Sequence, residues 1–332
     1  MLPINIANDI LFHFQVDNAV TSITILQEMV KGEQKRLIYQ IGTACGRYWV
    51  CRLTSEENYP PNIIEQQSQF AMLLWHHGIL TPKKMKNGKN YCIEIEWDNQ
   101  SYYATLEEYA GADIEEVNLD TFGILGKLIG QMHAISEKYP IKIDFSSVRD
   151  VIHNGRAKFD RIVKQADLPQ TCYDAIRRCA VIHDELINEL RMLWNELPYG
   201  AVHGDIGICN NLVHMGSGIG IIDFNLAGTE AFLGDMLVTF YASIYKYSWQ
   251  GKLAHISRDQ AFQYFLKEYL TERSFTTVEK LVYSRATALF DGLFFSKAVV
   301  EEWNKTRDID VLARLDEAVF HFNIENHIRI VN

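Results

Sequence analysis

The chain has 332 residues, 48% of them hydrophobic and 22% charged, which is enough apolar material for more than one buried core. A formal net charge of −10 argues against nonspecific nucleic-acid binding and leaves a cationic small molecule electrostatically reasonable. No segment approaches an uncharged membrane-spanning length and the first residues lack a secretory signal pattern, so the expectation is a cytoplasmic protein, monomer or homodimer, without membrane or nucleic-acid partners.

In chain order, Ser22–Met29, Lys35–Gly42 and Arg47–Leu53 read as strands separated by turns at Lys31-Gly32-Glu33 and Thr43-Ala44-Cys45-Gly46. A helix follows at Pro61–His77, then two more strands at Tyr91–Trp97 and Tyr102–Tyr109. Near Gly111 strand-rich sequence gives way to helix-rich sequence. Phe122–Ser136 carries Leu125, Leu128, Ile129 and Met132 at helical spacing. The segment Val148–Leu168, with Arg149, Arg156, Lys158 and Arg161, reads as a helical insertion that either covers the acceptor cleft or presents solvated basic surface, the latter being favoured. Along Asp174–Leu197 the residues Ile176, Ala180, His183, Ile187, Leu190, Trp194 and Leu197 recur in steps of four and three, forming one apolar face. Helices are further expected at Phe232–Tyr247, Gln260–Glu272, Thr277–Glu302 and Asp308–Ile328. Cys45, Cys51, Cys92, Cys172, Cys179 and Cys209 show neither metal-ligand spacing nor a disulfide framework and read as reduced residues.

The segment Ala201–Gly228 concentrates the chemistry. Asn210–His214 and Gly218–Ile222 read as two strands of a hairpin joined through Met215-Gly216-Ser217-Gly218, which would bring Asn210 close to Asp223. Two carboxylates and one amide are hard oxygen donors suited to Mg²⁺ shared between protein and phosphate. Asp205, in the loop His203-Gly204-Asp205, would accept the proton of an incoming hydroxyl, while Asn210 and Asp223 would face the metal on a nucleoside triphosphate.

His-x-Asp, an asparagine five positions after the aspartate, and Ile-Asp-Phe with its aspartate eighteen positions after the first together resemble the aminoglycoside phosphotransferase and choline kinase family. Protein kinases proper carry an Arg-Asp pair and an Asp-Phe-Gly turn, whereas here Asp205 follows Gly204 and Asn225 follows Phe224, which favours the small-molecule branch. The resemblance implies an α+β, two-lobed, protein-kinase-like fold. Residues 1–110 would be the nucleotide-binding lobe, an antiparallel sheet with one helix, and 111–332 a mainly helical catalytic and acceptor-binding lobe.

It further implies ATP and Mg²⁺ as cofactors and a small-molecule hydroxyl as acceptor: an aminoglycoside, amino alcohol, homoserine-like amino acid or sugar derivative. Asp205 becomes the catalytic aspartate, Asn210 and Asp223 the metal ligands, and His203, His133 and Asp235 structural members, with Asp235 anchoring the loop. The Gly32 turn would cover the triphosphate, although it lacks a G-x-G-x-x-G pattern. Arg52 stands where kinases present a phosphate-pairing lysine, and Gln67 at the usual position of its glutamate partner, with Glu65 facing differently. Backbone groups near Glu108 and Ala110 would meet the adenine edge. Asn225, Glu230, Tyr241, Tyr245, Asp291, Phe295 and Trp303 are candidate acceptor-pocket groups. The alternatives are a protein serine/threonine kinase and a nucleotide-binding regulatory pseudokinase, the latter motivated by Arg52 and Gln67.

Overall fold

The computed structural model describes residues 2–327 apart from 17–18, 32–33, 56–58, 147–150, 154–155, 165–167, 217, 250–252 and 254. In chain order it forms α1 (Ile4–His13), β1 (Val20–Lys31), β2 (Gln34–Thr43), β3 (Tyr48–Ser55), α2 (Pro61–His76), β4 (Cys92–Trp97) and β5 (Gln100–Glu108). There follow α3 (Leu119–Lys138), α4 (Arg156–Lys164), α5 (Tyr173–Trp194), β6 (Tyr199–Val202), α6 (Ile208–Asn211), β7 (Leu212–Met215), β8 (Gly218–Ile221) and β9 (Gly228–Ala231). The remainder comprises α7 (Phe232–Trp249), α8 (Arg258–Glu272), α9 (Thr277–Thr306), α10 (Ile309–Ala313) and α11 (Ala318–His321). These elements make an α+β protein with a five-stranded antiparallel sheet in the N-terminal part and a mostly helical C-terminal part. No helix among the described residues is long and apolar enough to cross a membrane.

The chain divides into two compact units. The first comprises Met1–Asp113, Ile141–Phe145 and Asn211–Asn225, and the second Ile114–Pro140, Ser146–Asn210 and Leu226–Asn332. In the first unit the sheet order is β1-β2-β3-β5-β4. Alternation sends Leu37, Tyr39, Ile41, Cys51, Leu53, Ala104 and Leu106 to one face, where Ala7, Ile10, Leu11 and Phe14 of the α1 segment cover them. Burying each larger side chain contributes roughly 1.5–3 kcal/mol. The other face carries Arg36, Ile38, Arg52 and Thr105, set side by side by the pairings Ile38↔Arg52 and Arg52↔Thr105.

The β7–β8 hairpin belongs to the same unit, tied down by the Ile221 N–H to Leu80 O bond of 2.8 Å and the His214 N–H to Ala112 O bond of 2.9 Å. Gly111 permits that second contact: its φ is +140°, and a Cβ there would lie 2.1 Å from the His214 carbonyl oxygen. The expected strand from Asn210 begins later, because Ile208–Asn211 forms a helical turn and β7 opens only at Leu212. A short apolar run is ambiguous between the two conformations, and the Asn211 carbonyl that ends the turn is taken by the Ile222 N–H at 2.8 Å.

In the second unit α3 starts with a capping box between Asn118 and Thr121 and packs against α8. Gly126 sets the closeness of that crossing, since a Cβ there would lie 2.1 Å from the Phe265 carbonyl oxygen. Capping boxes also open α8 (Ser257, Gln260) and α9 (Thr276, Glu279). The apolar face read along α5 is buried from Ile176 to Trp194, and Leu197 is buried just past the helix. In α4, Arg156 is exposed and pairs with Asp160 and Asp184, while Arg149 lies outside the described residues, as does the Lys158 side chain. The continuous helix expected over Asp308–Ile328 is instead broken into α10, α11 and a 3-10 turn at Ile324–Asn326. Between them the backbone tightens to i→i−3 bonds, from Arg314 N–H to Val311 O through Ala318 N–H to Leu315 O, which keeps a helical period in sequence without a regular α-helix.

Candidate active site

In the first unit β8 delivers Ile222-Asp223-Phe224 to the polar face of the sheet. Asp223 has φ +66°, a left-handed conformation that aspartate tolerates better than most residues. Phe224 is buried edge-on against Phe70 of α2, with ring centroids 5.9 Å apart. Gln67, also on α2, donates from Nε2 to the Asn225 carbonyl at 2.8 Å. Helix α2 thereby grips the turn immediately after Asp223 at two successive residues.

Five charged side chains meet there. Arg52 donates Nε and Nη2 to Glu107 Oε1 at 3.1 and 2.9 Å, and Nη1 to Asp223 Oδ1 at 2.9 Å. Arg36 Nη2 reaches the same Asp223 oxygen at 2.6 Å, and Lys84 Nζ reaches Glu107 Oε2 at 2.5 Å. Burial alone would raise the Glu107 carboxyl, but Arg52 and Lys84 outweigh it and hold it below the usual carboxylate range. Burial alone would lower Arg52, but Glu107 and Asp223 raise it instead. Arg36 is lowered, first by burial and against the pull of Asp223, with Arg52 adding to the effect. Among the described residues three cations thus face two carboxylates, one positive charge more than the carboxylates carry.

This arrangement corrects the expected pairing of Arg52. Its acidic partner comes from β5 as Glu107, not from α2. Glu65 is committed elsewhere, accepting the Tyr91 N–H at 2.7 Å and the Cys92 N–H at 2.8 Å, where it ties α2 to the start of β4. Gln67 holds the Asp223 turn through Asn225. Arg36, Lys84 and Glu107 were missed from the sequence. Alternation in β2 was the available signal for Arg36, whereas Lys84 sits in an irregular segment with no periodicity, bridged to Glu107. The Glu108 N–H donates to the Lys83 carbonyl at 3.0 Å. Ala110 lies half-buried just beyond β5. The Gly32 turn lies outside the described residues.

In the second unit the β6–β9 pair sets the start of the His203-Gly204-Asp205 loop. Gly204, at φ +81°, donates its N–H to Asp235 Oδ1 at 2.9 Å, the anchoring expected of Asp235. Asp235 is fully buried, and its Oδ2 lies 3.0 Å from His133 Nε2. Burial pulls the His133 imidazole below its ordinary value despite Asp235, so the ring is neutral at pH 7. With Nε2–H given to Asp235, its Nδ1 accepts from the Tyr269 hydroxyl at 3.0 Å, and Tyr269 accepts from Arg273 at 3.2 Å. Arg273 is itself paired with buried Glu279 at 2.8 Å. A closed chain of hydrogen bonds therefore fixes the backbone immediately before Asp205, whose own side chain is exposed. Asn210 ends the loop within α6, and its side chain, like that of Cys209, lies outside the described part of the structure.

Asp205 borders a cavity of about 320 Å³ between its loop, α7 and α9, lined also by Ser243, Tyr245, Lys246, Lys297 and Glu302. Of the candidate acceptor groups, Tyr245 lines it. Asp291 is buried behind and receives the Tyr245 hydroxyl together with Arg258 at 2.6 Å and His321 at 3.0 Å, so it braces the wall. Tyr241, Phe295 and Glu230 are buried, and Asn225 lies in the first unit. Ser243 Oγ is buried with no hydrogen-bond partner among the described residues.

An antiparallel sheet followed by a mainly helical part is the architecture of kinase-like phosphotransferases. The model of the phosphotransferase enzyme family matches residues 29–275, and the chain belongs to that family. Solved structures agree on the fold. A structure of an amicoumacin kinase in complex with AMP-PNP, Ca²⁺ and Ami shares 18% identity, with 98% of this chain and 94% of that one covered at a TM-score of 0.63. For a microcompartment-associated aminopropanol kinase the values are 15%, 96%, 95% and 0.62. For a spectinomycin phosphotransferase in complex with ADP and spectinomycin they are 15%, 96%, 98% and 0.54. No curated protein sequence matches the chain.

Proposed function

We propose that the chain is an ATP- and Mg²⁺-dependent phosphotransferase acting on a hydroxyl of a small molecule. The observation that carries this reading is the Asp223 cluster, where a half-buried carboxylate on a left-handed turn is set among three buried cations. A net positive, largely dry surface with one anionic oxygen donor suits a metal-bound polyphosphate. Among the described residues no group of three or more His, Cys, Asp or Glu side chains could hold a metal by itself.

In this reading Asp223 and Asn210 ligate the metal, Arg52 contacts the phosphates, Gln67 keeps the Asp223 turn in place, and backbone at Ala110 meets the adenine edge. Bound Mg-ATP supplies the phosphoryl group and the charge that offsets its developing negative oxygens. Asp205 orients the acceptor hydroxyl and takes its proton, from a loop whose backbone is fixed by Asp235. The 320 Å³ cavity lies at the small end of ligand pockets, which favours an amino alcohol, hydroxy amino acid or single sugar over a larger aminoglycoside. Ser243 Oγ offers such an acceptor a hydrogen bond.

The test is ADP release by purified protein with Mg-ATP and a panel of amino alcohols, hydroxy amino acids, sugars, aminoglycosides and peptides. Release stimulated by a small hydroxyl compound is the expected result. Stimulation by peptides alone would instead establish a protein kinase, and Mg-ATP binding without transfer to any acceptor a regulatory role.

A further inference from the structure

We infer that Arg36 is a second phosphate-binding guanidinium, and that Arg36 and Arg52 exchange Asp223 for nucleotide phosphates, so that polyphosphate and divalent metal bind with positive coupling. The inference rests on the reading of Asp223 as a metal ligand. Arg36 lies on β2, two residues before the partner of Arg52 in the β2–β3 ladder, so both side chains project from the same face of the sheet. Both line one small cavity with Gln67 and Lys84, and their side chains are only 9% and 12% exposed.

Both guanidiniums donate to one atom, Asp223 Oδ1, at 2.6 and 2.9 Å. A divalent cation on this carboxylate would add two positive charges to a group of five side chains that already carries one in excess. Carboxylate chemistry alone does not compensate that surplus in a buried setting. The anionic tail of a nucleoside triphosphate does, because guanidinium forks bind phosphate oxygens bidentately and would leave Asp223 free for the metal. Metal alone should therefore bind weakly, polyphosphate alone moderately, and the two together tightly. Lys84 stays with Glu107 throughout, and Arg52 keeps Nε and Nη2 on Glu107 while its Nη1 exchanges, whereas Arg36 turns from Asp223 to phosphate.

The test uses free Mn²⁺, followed by electron paramagnetic resonance, and AMP-PNP, followed by calorimetry, each alone and together. Wild-type protein should show a coupling factor of about 5–150-fold, identical whichever ligand is added first. Arg36→Gln should weaken AMP-PNP, tighten Mn²⁺ measured alone, and shrink the coupling factor. Arg36→Lys, which keeps the charge without the fork, should fall between them. Circular dichroism and thermal melting establish that each variant is folded. Unchanged affinities in both variants, or equal weakening of both ligands as a structural lesion would give, overturns the inference while leaving the phosphotransferase reading intact. A wild-type protein that binds no AMP-PNP with or without Mn²⁺ overturns both.

Discussion

Asp223 and Asp205 are positioned by opposite means. In the first unit Asp223 is held by charge, with two guanidiniums on one oxygen and a further carboxylate and lysine completing the buried set. In the second unit Asp205 is left exposed, and what is fixed is the backbone just before it, through a chain from Gly204 to Asp235, neutral His133, Tyr269 and Arg273. The difference suits the chemistry proposed for the two aspartates. A polyphosphate and its metal need charge of the right sign and amount, whereas a proton acceptor needs orientation and an uncrowded carboxylate.

Perturbing each region should therefore produce a different kind of damage. Among changes to the scaffold the largest belongs to Arg52→Ala, which strands Glu107 and Asp223 without one of their cations. Removing one member of a buried ion pair costs about 3–5 kcal/mol, so the denaturant midpoint should fall steeply and nucleotide affinity with it. An unchanged midpoint would mean that the cluster is not a structural unit. Asp235→Ala strands two buried donors, Gly204 N–H and His133 Nε2–H, at about 1–3 kcal/mol each. It should lower turnover with little change in nucleotide affinity, and equal loss of both would break the contrast. Gly126→Ala pushes a methyl to 2.1 Å from the Phe265 carbonyl oxygen and should cost about 1–3 kcal/mol by wedging α3 from α8, seen as a lower melting temperature.

Acid should give the smallest effect and the clearest ordering. Burial lowers His133, His183 and His327, all in the second unit, below the ordinary histidine value of 6.5. Between their folded values and 6.5 the unfolded chain binds more protons, so the second unit loses stability as pH falls below 6.5. Glu107, in the first unit, is also lowered, but from 4.5, so its contribution is full above pH 4.5 and is lost only as pH falls further. Hydrogen exchange from pH 7 to 4 should show protection in α3 and α5 declining before that in β3 and β5. The reverse order would contradict the assignment of the acid-sensitive buried histidines to the second unit and of the lowered Glu107 to the first.

Much of this was legible in the sequence because it rests on local periodicity. The alternation of β2 and β3, the heptad-like face of α5 and the spacing of His203-Gly204-Asp205, Asn210 and Ile222-Asp223-Phe224 each signal their element or loop directly. The helix α1, which closes the back of the sheet, was not read, nor was the β6–β9 pair, because four-residue strands separated by 25 residues leave no local trace. The partner of Arg52 was sought on α2 by analogy. The antiparallel register places Glu107 two residues along β5 from Thr105, which faces Arg52, a non-local fact that only strand pairing reveals. Likewise the role of Gln67 depends on a carbonyl 158 positions away. Cys51 is buried and its thiol pushed up to about 12 by burial, as is that of Cys92, where the bond to Glu65 adds to the effect.

The central claim is that Asp205 acts on the acceptor hydroxyl and not on the nucleotide. The most direct measurement compares wild-type and Asp205→Asn proteins for acceptor-dependent ADP formation and for Mg-ATP affinity in the same preparation. The expected result is a loss of transfer by about 10²–10⁴-fold, the usual contribution of a positioned general base, with Mg-ATP affinity preserved within about twofold. Transfer at the wild-type rate, or a fall in Mg-ATP affinity that accounts for the whole loss, would contradict it.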